Sequence, residues 1–82
     1  MVCQYYALEI KRDQSGELAH EISWAYDENP EQANLKAQSL YYDKLSKAAV
    51  SEYASHSVTL ISDEGYPVMY QCFKHPQTEA NQ

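Results

Sequence analysis

The side chains able to act as nucleophiles, general bases or metal ligands are few and widely spaced. A nucleophilic Cys–His pair needs a sheltered pocket, which a chain of 82 residues seldom encloses. The sequence has no GxSxG, P-loop, HExxH or CxxC motif, and its His and Cys residues lack the spacing of zinc ligands. We therefore predict that the protein is not an enzyme and has no catalytic residue, metal or cofactor. The residues considered are His20, His56, His75, Cys3 and Cys72.

The carboxylates occur in two clusters that local structure explains. Asp27, Glu28 and Glu31 surround the expected start of a helix, and Asp63 and Glu64 lie in an expected turn. Neither cluster indicates an acid–base pair. The net charge of −6 disfavours general binding to nucleic acid or to an anionic membrane, because both need a cationic surface.

The two cysteines are predicted to be reduced thiols on strands. The N-terminus does not show a basic region followed by an apolar run, so we expect no signal peptide. No stretch approaches the roughly 20 apolar residues of a membrane span. A Cys3–Cys72 disulfide remains an alternative if the first and last strands are neighbours.

Two alternating segments predict a β-hairpin near the N-terminus. The first places Val2, Tyr6, Leu8 and Ile10 on one face and Cys3, Tyr5, Ala7 and Glu9 on the other. RDQSG follows as a turn, and Gly16 is suited to a positive φ. The second alternating segment places a mostly apolar set of residues opposite a smaller, more polar set. His20 belongs to the apolar set, and we expect it to be half-buried. That apolar set is Leu18, His20, Ile22, Trp24 and Tyr26.

DENPEQ predicts the start of a helix. Asn29 suits the N-cap, Pro30 the first helical position, and Gln32 an amide version of the capping box. We expect the helix to run from Pro30 to about Tyr53.

Two further strands follow the helix. SHSVTLIS is apolar and β-branched, DEG is a turn around Gly65, and YPVMYQCFK is the last strand, with Pro67 at its start. The order ββαββ predicts an α+β fold: a four-stranded antiparallel sheet with one long helix packed on one face. We expect a single domain over residues 1–75, a frayed polar tail over 76–82, and an exposed His75.

The predicted helix has more apolar surface than one sheet face covers. One face, which suits packing on the sheet, comprises Ala33, Ala37, Leu40, Tyr41, Leu45 and Ala48. A second stripe comprises Leu35, Tyr42, Ala49 and Tyr53. Another copy of the chain is the simplest cover, so we predict a homo-oligomer with this second stripe as its interface. The alternatives are that these residues are scattered surface aromatics, or that Tyr26 and the loop from Tyr53 to His56 fold over the stripe.

Eight tyrosines make the chain rich in aromatic side chains, which stack on flat ligands such as nucleobases. A site at a subunit interface would use some of these aromatics with a few cations for phosphate. Lys11 and Arg12 at the first turn are alternative cations. The predicted ligand-binding residues are Trp24, Tyr26, Lys36, Lys47 and Tyr66.

Three segments of the chain form a recognisable pattern: YYALEIKRDQSGELAHEISWAYDENPEQANLKAQS, LSKAAVSEYASHSV and LISDEGYPVMYQCFKH. Over roughly residues 4 to 75, this pattern resembles small proteins encoded by tailed phages and prophages of Gram-positive, often gut, bacteria. It implies a phage setting and assigns no role to any residue.

A phage setting implies counter-defence, a role in the virion, or regulation of transcription, and the acidic charge and the lack of a helix-turn-helix disfavour the last. We favour counter-defence in the cytoplasm of the host cell, either by sequestering a signalling nucleotide or by inhibiting a host immune protein. The alternative is a virion accessory or assembly protein without a small-molecule ligand. A third possibility is an acidic inhibitor of a host enzyme that binds DNA.

Overall fold

The computed structural model describes residues 2–76 and confirms the predicted α+β fold. The strands form one antiparallel sheet in the order β2-β1-β3-β4, and the helix packs on one face of it. The expected tail lies outside the described residues from position 77 onward. The elements are β1 (Cys3–Arg12), β2 (Leu18–Asp27), α1 (Pro30–Ala49), β3 (Ser55–Ser62) and β4 (Pro67–Lys74).

Both hairpin turns depend on a glycine with a positive φ, as predicted. Gly16 has a φ of 91° and Gly65 a φ of 89°. The first turn is also held by Asp13, whose Oδ1 accepts hydrogen bonds from the backbone N–H groups of Ser15 and Glu17, each at 2.9 Å. Together with the Ser15 hydroxyl, these donors hold the pKa of Asp13 below its usual value.

The start of α1 is capped as predicted, except that one backbone N–H group has a different hydrogen-bond acceptor. Oδ1 of Asn29 accepts from the backbone N–H groups of Glu31 and Gln32 at 2.8 and 3.1 Å, and Pro30 is the first helical residue. The backbone N–H of Asn29, expected to bond to the Gln32 side chain, instead donates to Oδ1 of Asp27 at 2.9 Å. Asp27 thereby joins the end of β2 to the start of the helix.

The predicted end of the helix is wrong: α1 stops at Ala49 and not near Tyr53. Val50 leaves helical geometry, with φ −120° and ψ 16°. Val50 is β-branched and Ser51 competes for backbone hydrogen bonds, so both are weak helix formers. The imidazole of His75 also donates to the carbonyl of Ala48 at 2.9 Å. His75 is therefore half-buried, and its expected exposure is wrong.

The helix packs on the sheet face that carries the smaller side chains. Ala7 on β1 and Ala25 on β2 are buried there, beside Val58 and Leu60 on β3. Alanines on both elements permit a close approach of helix and sheet. The predicted helix face is confirmed: Ala33, Ala37, Tyr41 and Ala48 are buried, and Leu40 and Leu45 are half-buried.

The two cysteines are free thiols, as predicted. Cys3 is on β1 and Cys72 is on β4, and β3 lies between these strands. The condition for the alternative disulfide is therefore not met. Within residues 2–76, no helix is long and apolar enough to cross a membrane.

Removing the N-cap should weaken the whole fold. We expect Asn29→Ala to lower the free energy of unfolding by about 1 kcal/mol, because two N–H groups lose their acceptor. Urea unfolding followed by circular dichroism measures this. Ser39→Ala, at an exposed position inside α1, is the control and should not lower stability. Equal stability of Asn29→Ala and the wild type would contradict the capping role.

The stabilising effect of Asp27 should disappear in acid. A hydrogen bond from Lys36, then the bond from the Asn29 backbone, lowers the pKa of Asp27 below its usual 3.8. A lowered folded-state pKa adds stability above the unfolded value, and that stability is lost as pH falls through the folded value. Asp27→Asn should therefore be less stable than the wild type at neutral pH and equally stable in strong acid. A difference that persists in acid would refute this, and Glu28→Gln serves as control.

Candidate functional site

The face of the sheet turned away from α1 is open and apolar. Side chains alternate between the faces of a strand, so the helix side takes one set and the other set stays uncovered within residues 2–76. We call this second set the open sheet face. Its apolar members are Tyr6, Leu8, Ile10, Leu18, Ile22, Trp24, Tyr26, Ile61, Val68 and Tyr70.

The strand register places these side chains in continuous rows across the sheet. One row runs from Trp24 on β2 through Tyr6 on β1 to Ile61 on β3. The rings of Trp24 and Tyr6 are 5.1 Å apart between centroids. The next row comprises Ile22, Leu8, Thr59 and Tyr70, and so reaches from one edge strand to the other.

The exposed apolar area of the open sheet face exceeds the largest apolar patch of a typical monomer. Trp24 is 57% exposed and Tyr70 is 65% exposed, and five aliphatic or aromatic neighbours are also exposed. An aromatic side chain that is fully covered removes roughly 150–250 Å² from solvent. On that scale the exposed parts of these side chains together present on the order of 800 Å² to solvent. The largest apolar patch on a typical monomer is about 300–600 Å² and is often functional.

Formal charge is confined to one end of the open sheet face. Arg12 and Lys74 lie in its last row, beside Leu18 and Ser55. His20 lies one row further in and is exposed, so its expected half-burial is wrong for this chain alone. The central rows carry no charged side chain, although the chain has a net charge of −6. Depletion of charge at the centre of a patch is typical of protein interfaces.

A buried polar cluster lies between α1 and the sheet. Glu9 on β1 is 3% exposed and His56 on β3 is 4% exposed. The Nε2 atom of His56 is 2.9 Å from Oε1 of Glu9, and because a carboxylate oxygen accepts, Nε2 carries the shared proton. Lys44 of the helix brings its Nζ to 3.7 Å from Oε2 of Glu9.

The surroundings of this cluster seal Glu9 and His56 from solvent. The ring of Tyr53 meets the ring of His56 edge to face, with centroids 5.8 Å apart, and the ammonium of Lys11 lies 5.5 Å from the centre of the Tyr53 ring. The second ring nitrogen of His56, Nδ1, is buried and makes no hydrogen bond within residues 2–76. A histidine so enclosed has no approach for a substrate. The cluster ties α1 to β1 and β3.

The structure brings three of the five predicted ligand-binding residues to one end of the sheet. Trp24 and Tyr26 line a hollow of about 410 Å³ with Val2. Tyr26 and Lys36 line an adjoining hollow of about 400 Å³. Nζ of Lys36 is 2.8 Å from Oδ2 of Asp27, so this ammonium group already forms an ion pair with a carboxylate.

The other two predicted ligand-binding residues lie elsewhere. Lys47 is 11 residues after Lys36 on α1, which is about 16 Å along a helix, and it pairs with Asp43 at 3.4 Å. Tyr66 is in the turn before β4, and two strands lie between β4 and β2.

The alternative cations at the first turn are also engaged. Nζ of Lys11 is 3.4 Å from Oε2 of Glu21. Arg12 donates to the carbonyl of Gly16 at 3.2 Å.

The predicted oligomer stripe is divided between two environments. Leu35 and Tyr42 are exposed on the outer side of α1, and Ala49 is exposed at its last residue. Tyr53 lies beyond the helix and packs on His56, so it does not extend the stripe. The role of the stripe as an oligomer interface stays a prediction.

The sequence carries a signal for the buried cluster in the alternation of its strands and in the apolar arc of its helix. Glu9 alternates in phase with Ala7, and His56 alternates in phase with Val58, so each belongs to the covered face of its strand. Lys44 interrupts the apolar arc of the helix. Three ionisable residues at apolar positions indicate mutual pairing.

Comparison with known proteins adds no relative. No protein-family model matches the sequence, and neither a curated protein nor a solved structure matches it. Among residues 2–76, no group of three or more His, Cys, Asp or Glu side chains is arranged to hold a metal ion. The candidate site therefore rests on the geometry of this chain.

The buried cluster should stabilise the fold only as a set. Glu9→Leu leaves His56 and Lys44 without their carboxylate, and we expect a loss of about 3 kcal/mol in the free energy of unfolding. His56→Phe in the same chain should restore at least half of that loss, because Lys44 is partly exposed and its ammonium can reach water. Urea unfolding of the two single variants and the double variant measures the coupling. Additive losses would contradict it.

Proposed function

We propose that the protein is a non-enzymatic binding protein that holds its partner on the open sheet face. The observation that carries the proposal is the size and continuity of that face, which crosses all four strands and has no charge in its central rows. A patch of this kind costs solubility unless something covers it.

Two features favour binding over catalysis. The buried ionisable pair, Glu9 and His56, is closed off beneath α1 and serves to hold the layers together. The open sheet face instead offers aromatic and aliphatic side chains, which supply contact area and do not transfer protons.

The narrower proposal is that a phage encodes the protein and uses it for counter-defence in the host cytoplasm. It would act as a homo-oligomer that sequesters a signalling nucleotide or inhibits a host immune protein. The resemblance to phage proteins supports the setting. The adjoining hollows at Trp24, Tyr26 and Lys36 support a flat, phosphate-bearing ligand, provided that Lys36 exchanges Asp27 for phosphate.

The second candidate is a virion accessory or assembly protein. The same open sheet face favours it, because an apolar face can equally join a particle and needs no small molecule. The two candidates differ in where the protein is found: a sequestering protein stays free of particles, whereas a virion component sediments with them.

Native mass spectrometry of gently purified protein tests the proposal. An excess mass of a few hundred daltons per site would identify a sequestered small molecule, and a co-purifying polypeptide would identify a protein target. We expect either excess to be lost in Ile22→Lys, which places a charge in the centre of the open sheet face. An excess that Ile22→Lys retains would show that the partner binds elsewhere.

A matched pair of lysine variants tests the nucleotide proposal. If Lys36 receives the phosphate, Lys36→Ala should abolish the quenching of Trp24 fluorescence by a bound nucleotide. Lys47→Ala removes the same charge from the same helix about 16 Å away and should leave quenching unchanged. Equal loss in both variants would indicate a nonspecific effect of charge and would refute the role of Lys36.

A further inference from the structure

We propose that a second copy of this chain covers the open sheet face, so that two sheets stack face to face with a helix on each outer side. The inference rests on the proposed function, which makes this face the working surface, and it names the occupant. Stacked sheets pack about 10 Å apart and bury their facing side chains as one core.

The area of the face matches what a dimer needs. A standard interface buries about 800 Å² on each partner, and the open sheet face offers an area of that order. Obligate homodimer interfaces resemble a domain core cut in half. The present chain fits that description, because Leu60 and Val58 are its largest fully buried side chains while Trp24 and Tyr70 remain outside.

Charge favours a second copy over an ionic partner. A nucleic acid or a strongly charged protein would need charges on the face, and the central rows have none. Two copies each carry a net charge of −6, so they approach most easily through a surface without carboxylates. The open sheet face meets that condition: its charged members, Arg12 and Lys74, are cations at one end.

The two halves of the face also complement each other in size. β1 contributes Tyr6, Leu8 and Ile10, whereas the adjacent positions of β3 include the smaller Thr59 and Ser57. A two-fold axis along the strands, between β1 and β3, places β1 of each copy over β3 of the other. The large β1 side chains of one copy then fill the depression above the small β3 side chains of its partner. The reverse contact is identical, because an interface with two-fold symmetry is isologous.

The same axis brings the edge strands into register. It places β2 of each copy over β4 of the other, so Trp24 lies over the row of Ile61 and Pro67, where β4 contributes a smaller side chain. The exposed aromatics at both edges, Trp24 and Tyr70, are then covered within one closed pair.

Matched lysine substitutions on the two apolar surfaces test this inference. Ile22→Lys and Tyr70→Lys change the open sheet face, whereas Leu35→Lys and Tyr42→Lys place the same charge at similarly exposed positions on α1. Sedimentation equilibrium should show a wild-type dimer. The sheet variants should raise its dissociation constant by roughly 100-fold or more. The helix variants should leave the constant within about threefold, and far-ultraviolet circular dichroism checks that all four fold.

A measurement on the unmodified chain keeps the test independent of those variants. Cys72 lies on the open side of β4, beside Ser57, whereas Cys3 lies on the helix side of β1. Alkylation of Cys72 by iodoacetamide should slow at least tenfold as the protein concentration rises from below to above the dimer dissociation constant. Alkylation of Cys3 should not change with concentration.

Two results would overturn the inference. A wild type that stays monomeric, with Cys72 alkylated equally fast at every concentration, would exclude the second copy. A dimer broken by the helix variants and not by the sheet variants would move the interface to α1. The proposed function fails separately, if Ile22→Lys retains whatever molecule co-purifies with the wild type.

Discussion

The rest of the structure depends on the close contact between an alanine-rich helix face and the alanine-containing side of the sheet. Ala33 and Ala37 of α1 meet a surface that includes Ala7 and Ala25, and all four are buried. Small side chains let the two layers approach closely, but they leave little volume for a core. Strand alternation then forces the larger neighbours, such as Trp24, onto the opposite face. One choice of packing therefore produces both a thin core and a broad apolar surface.

The thin core explains why a polar cluster is tolerated beneath the helix. Glu9, His56 and Lys44 lie between the helix and the sheet, and they connect two strands to α1. Buried ionisable groups contribute little net stability when paired, but they are costly when separated. These three side chains consequently determine the position of the helix on the sheet and add little to the free energy of its packing. The apolar side chains of the open sheet face remain available for a partner.

The elements were predictable because their signals are local. Period-two alternation, the Asn29 cap and the glycine turns each act over a few residues, and the structure confirms them. The helix end was misplaced because Tyr53 continues the apolar spacing while Val50 breaks the backbone geometry. The choice of sheet face was not predictable, since both faces of β1 contain apolar residues. That choice depends on matching volumes between α1 and the sheet, which no local pattern encodes. The apolar spacing of α1 predicted uncovered surface at Leu35 and Tyr42, whereas the larger uncovered surface lies across the sheet.

The most direct test of the account is the fluorescence emission of Trp24 as the protein is diluted. It is the single tryptophan of the chain and lies in the middle of an edge strand on the open sheet face. If that face is covered in solution, emission should be blue-shifted and protected from acrylamide at high concentration. On dilution it should shift to the red as the pair dissociates. An emission that is red-shifted and fully quenched at every concentration would show that the face stays in water, and would contradict the claim that the fold is completed by covering it.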